Sequence, residues 1–348
     1  MATKQPLVFI LINNWNGWQD TLACLSSLYK IDYARFYIIL VDNASRDTSR
    51  ENIIEWCEKN QVQWNRISYK YGTSYSTFSE KYHSSIGRER NVTLICCDYN
   101  IGFTGANNLS IAVALRARAD YILLLNNDTE VAQDFLSKMV KTAEETERHA
   151  LVGCKILFHS PSNIIWHIGG YTNFWGSSIA FKQGERDVPK RIRGVSKTHV
   201  ISGAAMLISR DIINVIGVQD DRYFFAIDDI EYSSRTENAG FGLKINLDSV
   251  VWHKVSRAMR NKKPLSLYYQ IRNTLLWRSE YFTCYQNLLF LFYYVPRWTI
   301  EFVVRLLKGR WQSSHAMLTG VIDFFYHRYG ECPHLWLNPE YRRAFVNY

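Results

Sequence analysis

Four short runs of apolar residues, each cut off by a polar tip, constrain this chain more than any other feature. They are Leu7 to Ile12, Tyr37 to Val41, Val92 to Cys97 and Tyr121 to Leu125. A half-exposed strand would alternate apolar and polar side chains, so unbroken runs of this kind read as parallel strands buried on both faces. Between the first two, Leu22, Leu25 and Leu28 fall at helical spacing within Asp20 to Tyr29, with Asp20 or Thr21 placed to cap the start. Asn52 to Lys59, Gly105 to Ala117 and Ala132 to Glu147 are further helix candidates. Strand–helix alternation predicts an α/β fold with a doubly wound, mostly parallel, Rossmann-like sheet.

Residues Tyr69 to Arg90 interrupt the pattern with Ser, Tyr, Gly and charge and read as a surface insertion. Later, Val152 to Phe158, Trp166 to Thr172, Val200 to Ser209 and Leu243 to His253 are strand-like pieces among long loops, expected to finish the sheet and wall a cleft. From Leu265 the texture becomes helical and aromatic, with Leu288 to Val295 and Thr299 to Leu307 separated by Pro296 and Arg297. This divides the chain into a domain over 1–263, whose halves are 1–130 and 131–263, and a helical appendage over 264–348.

The chain is long enough, at 348 residues, to bury an ample core. Its net charge of +9 suits an anionic partner, but the basic residues are scattered, dense only at Lys190 to Arg193 and Arg257 to Lys263. No nucleic-acid motif accompanies them, so nucleic acid is not an expected partner. Seven cysteines without paired spacing argue against a disulfide framework and fit a reducing, cytoplasmic setting.

Open α/β sheets bind ligands beyond the carboxyl ends of their strands, which makes the four exits informative. The first reads Asn13-Asn14-Trp15-Asn16-Gly17 and the second Asp42-Asn43-Ala44-Ser45. The third runs from Asn100 through Gly102 and Gly105 to Asn107 and Asn108; the fourth is Asn126-Asn127-Asp128. Gly102 and Gly105 would let backbone approach a ligand while amides at a helix N-terminus face negative charge, or would simply form a tight turn capped by Asn107 or Asn108. Asp228-Asp229 follows a dense apolar segment, where burial and mutual repulsion can raise a carboxyl pKa; a helix cap is the structural alternative.

In wording and order, these exits resemble the family-2 glycosyltransferases of the GT-A fold, particularly the bacterial rhamnosyltransferase subgroup. The resemblance extends to Trp166-His167-Ile168-Gly169-Gly170, Ser202-Gly203-Ala204, Asp228-Asp229-Ile230-Glu231, Trp252-His253 and Arg272-Asn273. It implies an inverting, hexosyl-type transferase using a nucleoside-diphosphate sugar, UDP- or dTDP-linked and including dTDP-rhamnose, with a glycan or lipid-linked glycan as acceptor in cell-surface polysaccharide synthesis.

By this resemblance Asp42 accepts a hydrogen bond from a uracil or thymine imide, and Asn14, Asn16, Asn43, Ser45, Gly102, Gly105, Asn107, Asn108 and Asn127 complete the donor nucleotide site. Asp128, with Asn126 and His253, holds Mg2+ or Mn2+; only Asp128 in its tripeptide is a carboxylate, so the cation leans on substrate phosphates and water. Asp229 is the expected general base and Asp228 its neighbour. Trp166, His167, Gly170, Ser202, Gly203 and Arg272 are expected to line the acceptor or phosphate pocket, core packing being the alternative for the aromatics.

The segment Cys284 to Leu307 is too interrupted by Pro296, Arg297, Glu301 and Arg305 to span a bilayer, and reads as an interfacial helix on an anionic membrane surface or as a homodimer interface. Two other functions compete. A nucleotidyltransferase would carry a glycine-rich, basic signature where this chain has Asn14 to Gly17. A degenerate carbohydrate-binding or scaffolding protein accommodates Asn126 and Asn127, but not the joint presence of Asp128, Asp229 and His253.

Overall fold

The computed structural model describes residues 5–85, 89–173, 178–255, 264–334 and 336–337. The four apolar runs form β1 (Val8–Asn14), β2 (Phe36–Asp42), β4 (Val92–Cys97) and β5 (Tyr121–Asn126). Joined by β3 (Trp64–Tyr69), β7 (Ala150–Phe158), β11 (Val195–Lys197), β12 (Ala205–Ser209) and β13 (Gly242–His253), they lie in the order β11-β13-β7-β12-β5-β1-β2-β4-β3. The strands from β5 to β3 run parallel, while β12 is antiparallel to both β5 and β7. Two short strands flank this path, β6 (Thr129–Val131) on β13 and β8 (Ile165–His167) on β7.

Both faces of the sheet are covered, which is why its central strands carry no polar alternation. Val8, Ile10 and Ile12 point to one core beneath α1 (Trp18–Leu28), α2 (Ser49–Lys59) and α5 (Phe135–Glu145). Phe9 and Leu11 point to the other, under α3 (Tyr75–Tyr82), α4 (Gly102–Arg116), α6 (Arg210–Ile216) and α7 (Asp228–Asn238). The appendage is α8 (Pro264–Tyr281), α9 (Cys284–Leu307) and α10 (Trp311–Phe325).

Several expectations need correction. The Tyr69 to Arg90 stretch is built into the domain over its described part: Ser74 caps α3 by accepting from the Thr77 amide, and Phe78 is buried edge-on against Tyr69. Strand β3 escaped the reading because only Ile67 and Tyr69 among its side chains are fully buried, as suits a sheet edge. Trp166 to Thr172 is two strands, β8 and β9 (Gly170–Thr172), turned at Gly169 with φ +94. Neither Asp20 nor Thr21 caps α1, whose N-cap is Gly17.

Helix α9 continues through Pro296, held at its start by a reciprocal Thr283–Gln286 capping box. Proline leaves the carbonyl four residues earlier without its helical partner. That residue, Phe292, is 82% exposed, so water can serve instead. The Arg257 to Lys263 basic cluster lies outside the described residues.

His167, on β8, is buried with a ring nitrogen lacking a partner among the described residues. Burial pushes its imidazole down from 6.5 to about 4, against a weaker upward pull from a hydrogen bond to the Val200 backbone. It is therefore neutral at pH 7. Below about pH 6.5 the unfolded chain takes up a proton that folded His167 refuses, so stability falls as pH drops toward about 4. The loss is on the order of 3 kcal/mol. Urea midpoints at pH 7, 5 and 4 measure it; His167→Gln should flatten that slope, and an unchanged slope would remove His167 as its source.

Candidate active site

The strand order reverses between β5 and β1, and the crevice beyond the strand ends at such a switch point is the ordinary ligand site of an open α/β sheet. Register sets Asn13 beside Asn126 and Asn14 beside Asp42. Antiparallel β12 starts at this same edge, where the Asn126 amide donates to the Ala204 carbonyl at 3.1 Å. Neighbouring strands lie about 4.8 Å apart, so these exits form one rim.

Side-chain amides stitch the rim together. Asn14 Nδ2 donates to Asp42 Oδ1 and Ser45 Oγ, both at 3.1 Å, while its Oδ1 accepts from the Thr21 hydroxyl at 2.8 Å. Asn127 Nδ2 donates to Thr21 Oγ1 at 3.0 Å. Ser45 Oγ also accepts from the Asn16 amide at 3.0 Å. Asp42 is completely buried, with Oδ2 accepting from the Ser45 amide and from Arg50 Nε. Asp42, Asn14, Asn16, Ser45 and Asn127 thus share one network on the β1–β2 side.

The other expected nucleotide contacts are engaged within the protein. Asn43 bridges to the third exit, donating to Asn100 Oδ1 and the Gly102 carbonyl and accepting from the Ile101 amide. Gly102, at φ +82, makes room for the Phe224 ring, which a Cβ would meet at 2.6 Å. A Cβ on Gly105 would approach the Tyr75 hydroxyl at 3.1 Å. Asn107 and Asn108 are buried; the first donates to Gln219 Oε1 and the second to the Gln219 carbonyl and Asp221. In this structure these five positions also join elements of the fold.

On the β13 side, Asp128 and His253 pair at 2.9 Å between Oδ1 and Nε2, both buried, with the Trp166 ring edge-on to His253 at 4.5 Å. Pairing of β6 with β13 fixes this, setting Thr129 opposite His253. His253 Nδ1 and Asn126 Oδ1 are buried without hydrogen-bond partners among the described residues. No three His, Cys, Asp or Glu side chains gather as a metal site among those residues. A carboxylate, an imidazole and an orphan amide oxygen do fit a hard divalent cation that takes its remaining ligands from phosphate and water.

The acid pair opens α7. Asp228 is buried and accepts from Gln219 Nε2 at 3.3 Å. Asp229 is partly exposed; its Oδ2 accepts from the Gly203 amide at 3.1 Å and its Oδ1 from the Ile230 amide at 2.9 Å. Burial raises both carboxyls, and the charge of Asp229 raises Asp228 further. Because Gly203 adjoins Ala204, Asp229 stands at the rim next to Asn126. Ser202 supports this turn by accepting from the Ala204 amide at 3.2 Å.

Two expected pocket residues lie elsewhere. Gly170 is in the β9 hairpin with β10 (Ser178–Ala180), where a Cβ would collide with the Ile179 carbonyl at 2.5 Å. Arg272 is wholly buried on α8, its guanidinium donating to the Arg222 carbonyl and lying over Tyr268 and Tyr269. Conversely, sequence reading missed Thr21, Arg50 and Gln219. Gln219 completes a buried line of amides, Asn13 donating to Asn107, Asn107 to Gln219 and Gln219 to Asp228. Its only sequence signal is a polar residue in an otherwise unpatterned turn.

Known proteins bear on this arrangement. The family model for glycosyl transferase family 2 matches residues 9–217, more than half of the chain. The dTDP-rhamnosyl transferase RfbF of Shigella flexneri is 21% identical over 193 residues, covering 53% of this chain and 62% of RfbF, so the match spans less than two thirds of that relative. Among solved structures, mannosyltransferase PcManGT from Pyrobaculum calidifontis, in complex with GDP-Man and Mn2+, is similar at a TM-score of 0.52 and 13% identity, over 94% of this chain and 89% of that one. GalNAc-T7 with UDP, GalNAc and Mn2+ is similar at 0.54 and 15% identity, over 79% of this chain and 48% of that one. With a GT-A-type sheet, a polar rim at its switch point and a matching family model, the chain belongs to glycosyl transferase family 2.

Proposed function

We propose that this glycosyltransferase moves a sugar from a UDP- or dTDP-linked donor, dTDP-rhamnose first among them, to a hydroxyl of a glycan or lipid-linked glycan, with inversion. The observation that carries the reading is the continuous rim: Asp42 and Asn127 share one hydrogen-bond network, Asn126 bonds Ala204, and the adjoining Gly203 bonds Asp229. The likeness to the dTDP-rhamnosyl transferase RfbF supports the donor, and the nucleotides in the two solved neighbours support the class.

Asp229 is the base. Its raised pKa makes it a better proton acceptor than an ordinary carboxylate, and Gly203 and Ile230 orient its oxygens. As the acceptor oxygen bonds to the anomeric carbon, its proton passes to Asp229, and the bond from that carbon to the diphosphate oxygen breaks, its electrons leaving with the nucleotide. Asp42, Asn14 and Ser45 orient the base and ribose; Trp166 and Ser202 border the sugar. Asp128, Asn126 and His253 would hold a Mg2+ or Mn2+ ion, which supplies positive charge to offset the leaving diphosphate.

Asp229→Asn should lower kcat by about 100-fold or more while nucleoside-diphosphate affinity by calorimetry stays unchanged. Wild-type turnover in that variant would remove Asp229 as the base.

The reading extends to a site of action at the inner face of the cytoplasmic membrane. No helix among the described residues is long and apolar enough to cross a membrane. Yet α9 exposes Leu288, Phe292, Val295 and Leu307, continued by Trp311 and Phe325 on α10, with Arg297, Lys308 and Arg310 also exposed. An apolar face bordered by cations complements an anionic lipid surface, where a lipid-linked acceptor would lie. Liposomes rich in anionic lipid should float the protein at low salt, and the triple substitution L288S, F292S and L307S should abolish flotation. Absence of binding together with a concentration-dependent dimer would assign this face to a second copy of the chain.

A further inference from the structure

The loop that delivers the acid pair is held in a conformation its sequence resists. Phe224, Ala226 and Ile227 have φ of 27°, 67° and 68°, and none is glycine. Such residues cost about 1 to 3 kcal/mol each, most for a β-branched side chain such as Ile227. Ile227 is also the N-cap of α7 and has no side-chain oxygen to offer, so the helix carrying Asp228 and Asp229 does not fix its own start. Something outside the segment must hold it.

We propose that Asn273, on α8, is the positioning residue that sets the Asp228–Asp229 pair at the rim. Its Nδ2 lies 2.9 Å from the Tyr223 carbonyl, 2.9 Å from that of Phe225 and 3.0 Å from that of Ala226. Only the amide nitrogen can meet three carbonyls, and Asn273 Oδ1 accepts from Arg272 Nε at 3.0 Å, so the orientation is determined from both ends. The carbonyls beside them are served as well: Arg272 donates to that of Arg222, and the Phe103 amide donates to that of Phe224 at 2.8 Å. Every carbonyl from Arg222 to Ala226 is therefore held, three of them by one side chain. Asn273 is completely buried, and the Tyr269 ring beside Arg272 stacks on Phe224 at 5.6 Å.

Asn273→Asp keeps the shape but turns lone pairs toward those carbonyls, so the loop should leave its strained conformation and carry Asp229 off the rim. This rests on Asp229 being the base, and the experiment separates the two claims. Asn273→Asp is expected to lower kcat about 100-fold, since a displacement near 1 Å suffices for that. The donor KM and the nucleoside-diphosphate Kd should stay within about threefold, because the nucleotide network lies on the β1–β2 side. In an Asp229→Asn background the same change should add no further loss, as both act through one group.

A folded Asn273→Asp enzyme with wild-type kcat, or losses that multiply in the double variant, would overturn the positioning role. Full turnover in Asp229→Asn alone would instead overturn the base assignment. Should Asn273→Asp fail to fold, Asn273→Ser retains one donor. It should show faster hydrogen exchange confined to residues 223–231 with a kcat loss of about tenfold, and unchanged exchange there overturns the proposal.

Discussion

A strand buried on both faces can offer polar chemistry only where it stops, and that constraint organises this molecule. Strands β1 and β5 send mainly apolar side chains into the two cores, so their polar side chains gather at the carboxyl edge of β5, β1 and β2 and at the start of antiparallel β12. The reversal of β12 brings the Gly203 turn to that edge, and with it Asp229. A parallel strand in the same place would have delivered its far end, leaving the acid pair without the amide that orients it.

Much of this is readable in the residues themselves, because apolar runs ending in Asn and Asp report strand and exit together. The reading fails where one residue type serves two purposes. An asparagine after a strand suits a nucleotide and a neighbouring loop equally, and nothing in the chain separates Asn14 and Asn127, on the rim, from Asn43, Asn107 and Asn108, which bond other elements. Arginine is ambiguous for a similar reason: Arg272 has the chemistry of a phosphate ligand, and here two tyrosine rings and a backbone carbonyl surround it.

Elements were missed for lack of periodicity rather than by wrong chemistry. Edge strand β3 shows only half a pattern because only one of its faces is covered, and α3 spans eight residues, too few to establish a helical repeat. Pro296 reads as a break because the local rule is steric, whereas the carbonyl it leaves unpaired belongs to an exposed residue of α9, Phe292. The positive φ values at Phe224, Ala226 and Ile227 have no sequence signature at all, since glycine or asparagine would announce them and neither is present.

The prevalence of carboxamides along the edge has an electrostatic consequence. Asn13, Asn14, Asn16, Asn100, Asn126 and Asn127 supply directional dipoles without formal charge, whereas aspartates in the same places would line the edge with negative charge. Neutral amides also do not titrate. The surrounding lattice of amide donors thereby keeps its polarity across the whole physiological range of acidity.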